Sequence, residues 1–503
     1  MKGLTATALA AGLLASGSAA LNLIERATPN VVGLDIARRH IPDPVKRDTL
    51  RRRQSQTVTE TLANYGTLYF ANVTVGTPAQ NFALHIDTGS SDLWVNVPNS
   101  EICTERGDPC SISGTYDANS SSTYKYVNSI FSVSYVDGSG AAGDYATDTV
   151  SIGGKSITAL QFGIGYDSNS AEGILGIGYT ADEAQADTAR QKSYANLPQA
   201  MTNNGLIQSN AYSLWLNDLE ANTGSILFGG VDTDKYTGSL ESVPIQTVDD
   251  TYAEFLITLT DMSLTDGTTT QNLTTDLPTV VILDSGSSLT YLPNDLTSAI
   301  YSALKVQYDQ EQQLGACSCS LANENITIDF TFTSATISVA IDELVINANT
   351  GTSEDRENPN SEGGQSGGQG GEESLDCVFG IAPAEGETAV LGDTFLRSAY
   401  VVYDLANNEI SLAQTDFNAT DSNVKEIGTG TTSVPGATVV ANAVEAAVSQ
   451  TGGARIAVSG TGSSPFATAT STTTSGAVFS RSVSYGGLAL TAAAVVAAFA
   501  AYA

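Results

Sequence analysis

Histidine is scarce in this 503-residue chain, which contains only His40 and His85. Cysteine is also sparse, with copies at positions 103, 110, 317, 319 and 377, and no zinc-ligand pattern links these residues. We therefore expect no metal and no cofactor. A Ser-His-Asp triad is disfavoured too, because His40 lies in a basic leader segment and His85 lies two residues before Asp87 in one apolar run.

Basic residues are rare after Arg53, where twelve Lys or Arg stand against fifty Asp or Glu. The formal net charge of the whole chain is −33. A body this acidic repels nucleic acid at neutral pH, so we expect no nucleic-acid partner. The charge suits an acidic medium, where many carboxylates are protonated; the alternative is that it serves solubility alone.

The first 53 residues have the opposite character, with nine Lys or Arg and four Asp or Glu. Residues 1–20 have the basic start, apolar stretch and small-residue end of a signal peptide. We assign 21–53 to a basic propeptide, because its paired basic residues suit a dibasic-processing convertase, which we expect as a partner. A disordered basic linker is the alternative. The basic runs are Arg38-Arg39, Lys46-Arg47 and Arg51-Arg52-Arg53.

The carboxy-terminal end is poor in alternating apolar residues. We assign 418–475 to a Ser/Thr-rich stalk, since residues 461–476 hold ten Ser or Thr among sixteen. We assign 476–503 to a GPI-anchor signal that is removed, with Ser475 as the attachment residue, because small residues precede a spacer and an apolar tail. A spanning helix is the alternative, but the tail from Leu488 to Ala503 is short for a bilayer.

Between these ends, short runs of Val, Ile, Tyr, Phe and Thr alternate with Gly, Asn, Asp and Ser turns, which predicts β-structure. The clearest predicted strands are Leu68–Val75, Phe82–Ile86, Ile130–Tyr135 and Val401–Leu412. Helices are predicted near 197–203 and 296–310. We expect an amino-terminal lobe over 54–245 and a carboxy-terminal lobe over 246–417, with a disordered acidic, Gly-rich insert at 352–376.

A weak internal repeat supports two lobes. The run from Phe82 to Ser91 recurs from Thr279 to Ser288, and each copy places an aspartate after an apolar strand. Each copy is followed downstream by an Ile/Val-Leu-Gly element, at 173–178 and at 389–393. This pattern predicts a pseudo-two-fold pair of lobes.

The repeated aspartates, Asp87 and Asp284, are the candidate catalytic residues. Each could instead cap its own turn, but finding it twice in the same surroundings favours chemistry. The supporting residues fit: a glycine lets the backbone pass close to each carboxylate, and a serine hydroxyl can donate to it. These residues are Gly89, Ser90, Gly286 and Ser287. Two carboxyls held together share one proton and can activate a water, with no covalent intermediate.

The body resembles the pepsin-type aspartic proteases, specifically the fungal GPI-anchored, yapsin-like branch. The resemblance rests on the runs 87–94, 135–139, 173–178, 284–288 and 390–404. It implies an all-β, bilobal fold with the active-site cleft between two pseudo-symmetric lobes.

The resemblance also implies roles for further residues. Tyr135 sits on a β-hairpin flap with Trp94 packed beside it, and hydroxyls of Thr88 and Ser285 link the two active-site loops. Asp137 and Gly138 belong to the flap and contact substrate. The sequence departs from the family at Val136, where many members have glycine after the flap tyrosine.

A secreted chain of this kind is expected to carry two disulfides and one leftover thiol. Cys103 closes a short loop with Cys110, while Cys377 pairs with Cys317 or Cys319. Five N-x-S/T sequons are candidate glycosylation sites, at Asn72, Asn119, Asn272, Asn325 and Asn418.

The sequence therefore predicts a monomeric, secreted aspartic endopeptidase that acts at acidic pH on protein or peptide substrates. It is expected at the cell membrane through a GPI anchor, or in the cell wall. Asp137 on the flap suggests tolerance of basic residues before the scissile bond, although an Asp-Gly pair is also an ordinary turn. A glycosidase also uses two carboxylates but does not explain the repeat. An idle wall-binding protein on the same fold is the alternative from another class.

Overall fold

The computed structural model describes residues 29–41, 66–135, 139–186, 192–221, 223–310, 312–347, 375, 377–446 and 455–456. Several predicted features lie outside these ranges. They are the signal peptide, flap residues Asp137 and Gly138, the 352–376 insert apart from residue 375, Ser475 and the anchor signal.

Strands dominate the described chain. The first half contributes β1 (Val32–Ile41), β2 (Gly66–Val75), β3 (Gln80–Asp87), β4 (Leu93–Asn96), β5 (Lys125–Tyr135), β6 (Gly140–Ile152), β7 (Lys155–Ser168), β8 (Ile174–Gly176), β9 (Ala211–Trp215), β10 (Thr223–Phe228), β11 (Gly230–Asp232) and β12 (Tyr236–Pro244).

The second half begins with β13 (Leu256–Leu259), β14 (Asp261–Asp266), β15 (Thr269–Leu273), β16 (Thr279–Leu283), β17 (Thr290–Leu292), β18 (Gln307–Asp309), β19 (Leu314–Cys317), β20 (Ile326–Phe332), β21 (Ala335–Ala340) and β22 (Val345–Asn347). It continues with β23 (Cys377–Phe379), β24 (Ile381–Pro383), β25 (Ala389–Leu391), β26 (Ala399–Asp404), β27 (Glu409–Thr415), β28 (Val424–Glu426), β29 (Ala437–Val439) and β30 (Arg455–Ile456).

Helices are short in the described ranges. The α-helices are α1 (Leu197–Asn203), α2 (Asn294–Leu304) and α3 (Asp393–Leu396). The 3-10 turns span Ile102–Thr104, Pro109–Ser111, Ala118–Ser120, Thr180–Asp182, Cys319–Asn323 and Ile341–Leu344.

The described strands form one large sheet, three smaller sheets within the second lobe, and a two-stranded sheet that pairs β11 with β28. The large sheet has the order β29-β12-β27-β26-β9-β10-β1-β2-β3-β8-β4-β7-β6-β5-β30, and the central second-lobe sheet has the order β13-β16-β25-β17-β24. Because β26 and β27 come from the second half of the chain, the large sheet joins the two lobes at their base. The predicted all-β, bilobal fold is confirmed.

The repeat in the sequence corresponds to a repeat in strand pairing. β3 pairs in parallel with β8, and β16 pairs in parallel with β25. β4 then runs antiparallel to β8, as β17 does to β25. Each lobe therefore has the same strand arrangement behind its aspartate.

Two element boundaries differ from the sequence prediction. The helix predicted over 296–310 ends at Leu304, because Lys305 adopts a left-handed conformation with φ 59° that stops the helix. The run Val401–Leu412 is two strands, β26 and β27, since a turn that includes Asn408 at φ 57° reverses the chain between them.

The chain after residue 417 still packs on the two lobes, so the predicted stalk boundary at residue 418 lies too far towards the amino terminus. β28 pairs with β11 and β29 pairs in parallel with β12. Ile427, Val434 and Val440 are buried. Burial of these apolar side chains fixes the segment to the large sheet through residue 440.

Part of the predicted propeptide is a strand of the large sheet. β1 pairs with β10 over Val32–Ala37 and with β2 over Ile36–Ile41. Its residues Val32 and Ile36 are buried. In the uncleaved chain the segment 32–41 is therefore a strand of the large sheet, which the basic composition alone does not indicate.

The structure resolves the alternative left open for the cysteines. Cys103 is bonded to Cys110, and Cys319 is bonded to Cys377. Cys317 is a buried free thiol, although it lies directly opposite Cys377 in the β19–β23 ladder. Burial raises the pKa of the Cys317 thiol to about 11, which keeps it protonated and unreactive at acidic and neutral pH.

Candidate active site

The two candidate aspartates occupy equivalent places in the two lobes. Asp87 is the last residue of β3, and Asp284 directly follows β16. Each strand lies between one parallel and one antiparallel neighbour, and each aspartate emerges at the carboxyl end of its buried strand. Their side chains are 0% and 2% exposed. Burial of a carboxylate is costly unless donors surround it.

The donors around the two carboxylates mirror each other. Gly89 N–H donates to Asp87 Oδ1 at 2.9 Å, and the Ser90 hydroxyl donates to Asp87 Oδ2. Gly286 N–H donates to Asp284 Oδ1 at 2.7 Å, and the Ser287 hydroxyl donates to Asp284 Oδ2 at 2.7 Å. Each D-T/S-G-S turn therefore fixes its own carboxylate with one amide and one hydroxyl.

The two carboxylates converge at Gly286. A Cβ on this residue would lie 2.9 Å from Asp284 Oδ1 and closer still to Asp87 Oδ1. Oxygens of both side chains thus approach one point, and only glycine leaves that point open. The fold brings together two residues that lie far apart in the sequence.

A network of hydroxyl and backbone bonds joins the two turns. Thr88 Oγ1 donates to the Leu283 carbonyl at 3.0 Å and accepts from the Ser285 N–H at 2.9 Å. Ser285 Oγ donates to the Ile86 carbonyl at 3.1 Å and accepts from the Thr88 N–H at 3.2 Å. Serine at 285 keeps the hydroxyl that this reciprocal arrangement needs.

An aromatic layer lies under the joined turns. Tyr403 stacks on Tyr212 with ring centroids 5.0 Å apart and meets Phe255 edge-on at 4.7 Å. Burial raises the pKa of Tyr403 and of Tyr212 well above the ordinary value, and the charge of Asp87 contributes to the shift of Tyr212. These buried rings stay neutral, and their low polarity strengthens electrostatic interactions at the nearby carboxylates.

Tyr135, the tyrosine predicted to lie on the flap, is held by a hydrogen bond from a tryptophan. Tyr135 ends β5, and the Trp94 indole Nε1–H donates to its hydroxyl at 2.7 Å. Trp94 belongs to β4, the strand that follows the Asp87 turn. The β5–β6 hairpin that carries Tyr135 is therefore coupled to the strand next to the candidate active site.

Sequence reasoning missed a buried carboxylate behind this hairpin. Asp92 is 1% exposed and accepts from the Tyr145 hydroxyl at 2.7 Å, the Tyr194 hydroxyl at 2.9 Å and the Ala184 N–H at 2.7 Å. The sequence does contain a signal for this site: Asp92 lies between the Asp87 turn and the apolar strand β4. A carboxylate at such a position is expected to be buried, and a buried carboxylate needs hydrogen-bond donors.

The remaining predicted sites are dispersed. The five sequon asparagines, Asn72, Asn119, Asn272, Asn325 and Asn418, are all exposed. Among the described residues there is no group of three or more His, Cys, Asp and Glu side chains able to hold a metal. A helix long and apolar enough for a membrane span is likewise missing from that part of the chain.

Comparison with known proteins agrees with this geometry. The model of the eukaryotic aspartyl protease family matches residues 68–356 and 366–415. The chain is 53% identical to the probable aspartic-type endopeptidase opsB of Aspergillus oryzae and 50% identical to that of Aspergillus fumigatus, covering 89% and 88% of both chains. It is 35% identical to secreted aspartic protease 8 of Candida albicans, over 73% of this chain and 80% of that protein.

A solved structure shows the same fold at lower identity. The crystal structure of an aspartic proteinase from Irpex lacteus superposes with a TM-score of 0.55 and 22% identity, covering 78% of this chain and 100% of the other. Together with the family match over most of the two lobes, this leads to one conclusion: the chain belongs to the eukaryotic aspartyl protease family.

Proposed function

We propose that this aspartic endopeptidase cleaves peptide bonds with a water activated between Asp87 and Asp284. The convergence of the two carboxylates at Gly286 is the observation that carries the proposal. Two carboxylates this close cannot both ionise readily, so they hold one proton between them. The ionised member is then a base and the protonated member an acid at the same pH.

The proposed reaction needs no covalent intermediate. The ionised aspartate takes a proton from the water, whose oxygen attacks the scissile carbonyl carbon, while the protonated aspartate donates its proton to the carbonyl oxygen. The resulting gem-diol collapses when the C–N bond breaks: the nitrogen takes a proton from the dyad, and one gem-diol hydroxyl gives its proton to the dyad as the carboxylic acid forms. The dyad ends with one proton, as it began.

The surrounding residues have supporting roles in this proposal. Gly89, Ser90, Gly286 and Ser287 orient the carboxylates, because each donates to an oxygen and leaves the facing side free for the water. Thr88 and Ser285 hold the two turns in register across the lobes. Tyr135 closes over the substrate, positioned by Trp94.

We also propose the cellular setting. The acidic charge suits an acidic medium, and the relative in Candida albicans is named a secreted protease. Residues 1–20 would direct secretion, a convertase would remove the propeptide, and the exposed sequons would be glycosylated. A GPI anchor at Ser475, as in a yapsin-like branch, would hold a monomer at the cell surface or wall.

The flap supports a further proposal about specificity. Asp137 follows Tyr135 by two residues in the sequence and belongs to the predicted flap, from which a carboxylate would pair with a substrate Lys or Arg. Cleavage after basic residues would then be tolerated.

The test is a pH–rate profile for hydrolysis of a chromogenic peptide, with and without a transition-state-mimicking aspartic-protease inhibitor. We expect a bell-shaped profile with an acidic optimum, because activity is lost when the dyad gains a second proton or loses its last one. The inhibitor should abolish hydrolysis of the peptide. A flat profile up to about pH 8 would contradict the dyad, and no hydrolysis at any pH would favour the idle binding protein.

A further inference from the structure

Four aromatic rings form a continuous row between β4 and the β5–β6 hairpin. They belong to Trp94, Phe131, Tyr145 and Tyr194, and successive ring centroids are 6.3, 5.2 and 5.7 Å apart. Trp94, Phe131 and Tyr145 are buried in one cluster that also contains Tyr135. Because Phe131 belongs to β5 and Tyr145 to β6, the row packs both strands of the hairpin against Trp94 of β4.

A glycine of β7 makes room for this row. Gly163 lies opposite Trp94 in the β4–β7 ladder and opposite Tyr145 in the β6–β7 ladder. A Cβ on Gly163 would lie 2.5–2.7 Å from three ring carbons of Phe131, so a side chain there would displace the ring. The ring of Phe131 therefore packs directly on the backbone of β7, between Trp94 and Tyr145.

Each strand of the hairpin also has one hydrogen bond to the same short segment of the chain. On β5, the Tyr135 hydroxyl accepts from the Trp94 indole Nε1–H at 2.7 Å. On β6, the Tyr145 hydroxyl donates to Asp92 Oδ1 at 2.7 Å. Asp92 and Trp94 are two residues apart. Residues 92–94 thus hold the hairpin at two points.

The backbone of Asp92 is tied to the same element as the backbone of Asp87. Gly176 N–H, at the end of β8, donates to the Asp92 carbonyl at 3.1 Å. The next amide, Ile177 N–H, donates to the Asp87 carbonyl at 3.0 Å. Since consecutive residues hold both aspartates, the place of the Asp92 carboxylate is fixed relative to the candidate dyad.

We propose that Asp92 is a positioning residue of the reaction, acting through the Tyr145 hydroxyl to fix β6, and with it the paired strand that carries Tyr135, relative to Asp87. This inference rests on the proposed peptide-hydrolysing function, in which Tyr135 contacts the substrate. A hairpin that is held in place before the substrate binds loses less conformational entropy on binding. Loss of the Tyr145 bond should therefore weaken substrate binding and leave the chemical step unchanged.

Two phenols that share one acceptor supply a matched pair of variants. The hydroxyls of Tyr145 and Tyr194 both donate to Asp92 Oδ1, but only Tyr145 belongs to the hairpin, because Tyr194 precedes α1. We expect Tyr145→Phe to raise KM for a peptide substrate about three- to tenfold with kcat unchanged, the effect of losing about one hydrogen bond. Tyr194→Phe should lower the urea midpoint of unfolding as much as Tyr145→Phe does, yet keep the wild-type KM.

A double-mutant cycle assigns the effect to Asp92. Asp92→Asn should raise KM as well, since the Ala184 N–H, which donates to Oδ2 at 2.7 Å, takes the single oxygen of the amide. Adding Tyr145→Phe to Asp92→Asn should then raise KM less than Tyr145→Phe does alone, because both changes break the same bond. Fully additive effects on KM would show that Tyr145 acts independently of Asp92.

Two readouts do not depend on hydrolysis. The Kd of a peptidic transition-state mimic, measured by calorimetry, should rise in Tyr145→Phe by the same factor as KM. The chain has two tryptophans, so a Trp215→Phe background leaves the fluorescence of the buried Trp94 alone. In that background, acrylamide should quench Trp94 more strongly in Tyr145→Phe than in the wild type, and equally in Tyr194→Phe and the wild type.

The outcomes are distinct. A Kd and a quenching constant that change equally in Tyr145→Phe and Tyr194→Phe, or in neither variant, would overturn the positioning role of Asp92 and leave the proposed function standing. The expected difference between the two variants in Kd and in quenching, without hydrolysis by the wild type, would support the positioning role and contradict the proposed function.

Discussion

At the residue scale, the first lobe contains a buried carboxylate, Asp148, that is surrounded by hydrogen-bond donors. Asp148 accepts from the Tyr116 hydroxyl at 2.6 Å, the Thr149 N–H at 2.7 Å and the Thr123 hydroxyl. Burial alone would raise the pKa of Asp148, but these hydrogen bonds outweigh it and hold the pKa below its ordinary value. This carboxylate is thus ionised in the fold and serves structure.

Asp148→Asn tests this role. A carboxyl whose pKa is lowered by folding stabilises the native state above its unfolded pKa of about 4, and this stabilisation is lost as pH falls through the lower folded value. We expect the variant to lose about 1–3 kcal/mol of unfolding free energy near pH 6, and the difference to shrink below about pH 4. Urea denaturation across pH measures it.

The control is Asp266→Asn, which changes an exposed carboxylate and should alter unfolding free energy little at any pH. If the loss in Asp148→Asn instead stays constant from about pH 6 to about pH 3, the substitution acts through shape and not through charge.

Asp137 carries the specificity proposal. We expect Asp137→Ser to reduce cleavage after Lys or Arg by about tenfold relative to cleavage after Leu or Phe, the effect of about 1.4 kcal/mol from a partly desolvated ion pair. Matched peptides that differ only before the scissile bond give the ratio of kcat/KM values. An unchanged ratio would make Asp137 a turn residue.

At the element scale, strands with strong alternation were predictable and their ends were not. β2, β3 and β5 each contain the strand predicted for that part of the chain. The prediction succeeds because apolar residues alternate with polar ones along each strand. The helix end at Lys305 and the turn at Asn408 depend on single residues in a left-handed conformation, which the apolar pattern does not signal. β1 was not predicted because its basic residues resemble those of a linker.

The position of β1 leads to a prediction about processing. Arg38 and Arg39 are paired with Tyr69 and Leu68 of β2, so their backbone is not available to a protease that needs an extended, unpaired segment. We expect a dibasic convertase to cut after Arg47 or Arg53 and not after Arg39. Mass spectrometry of the amino termini after incubation with the convertase measures the sites.

A variant with Lys46, Arg47, Arg52 and Arg53 all changed to Ala serves as the control, and it should resist processing. Cleavage of this variant after Arg39 would show that β1 opens in solution and would remove the structural argument.

At the scale of the whole molecule, the repeat predicted two lobes and the two aspartates, because each motif repeats with its own downstream strand. The sequence could not predict the contacts between lobes. Glu343 accepts from the Leu219 N–H at 2.9 Å and forms a buried ion pair with Arg397, joining distant parts of the chain. Nor could spacing choose Cys319 over Cys317, since both lie near Cys377 in the folded sheet.

The proposed activity also depends on the lobes meeting at the dyad. Thr88 and Ser285 exchange bonds across the two halves, and both aspartates approach Gly286. Neither half contains a complete catalytic group. The activity should therefore vanish when either half loses its carboxylate.

The most direct measurement is the kcat/KM of Asp87→Asn and of Asp284→Asn on one peptide substrate at acidic pH, beside the wild type and Asp266→Asn. Each dyad variant should lose at least about a hundredfold, because general acid–base roles are worth about 10²–10⁴, while the near-isosteric amide keeps the unfolding free energy close to that of the wild type. Asp266→Asn should retain full activity. If either dyad variant, folded as the wild type, keeps more than about one per cent of the activity, the shared-proton mechanism is wrong.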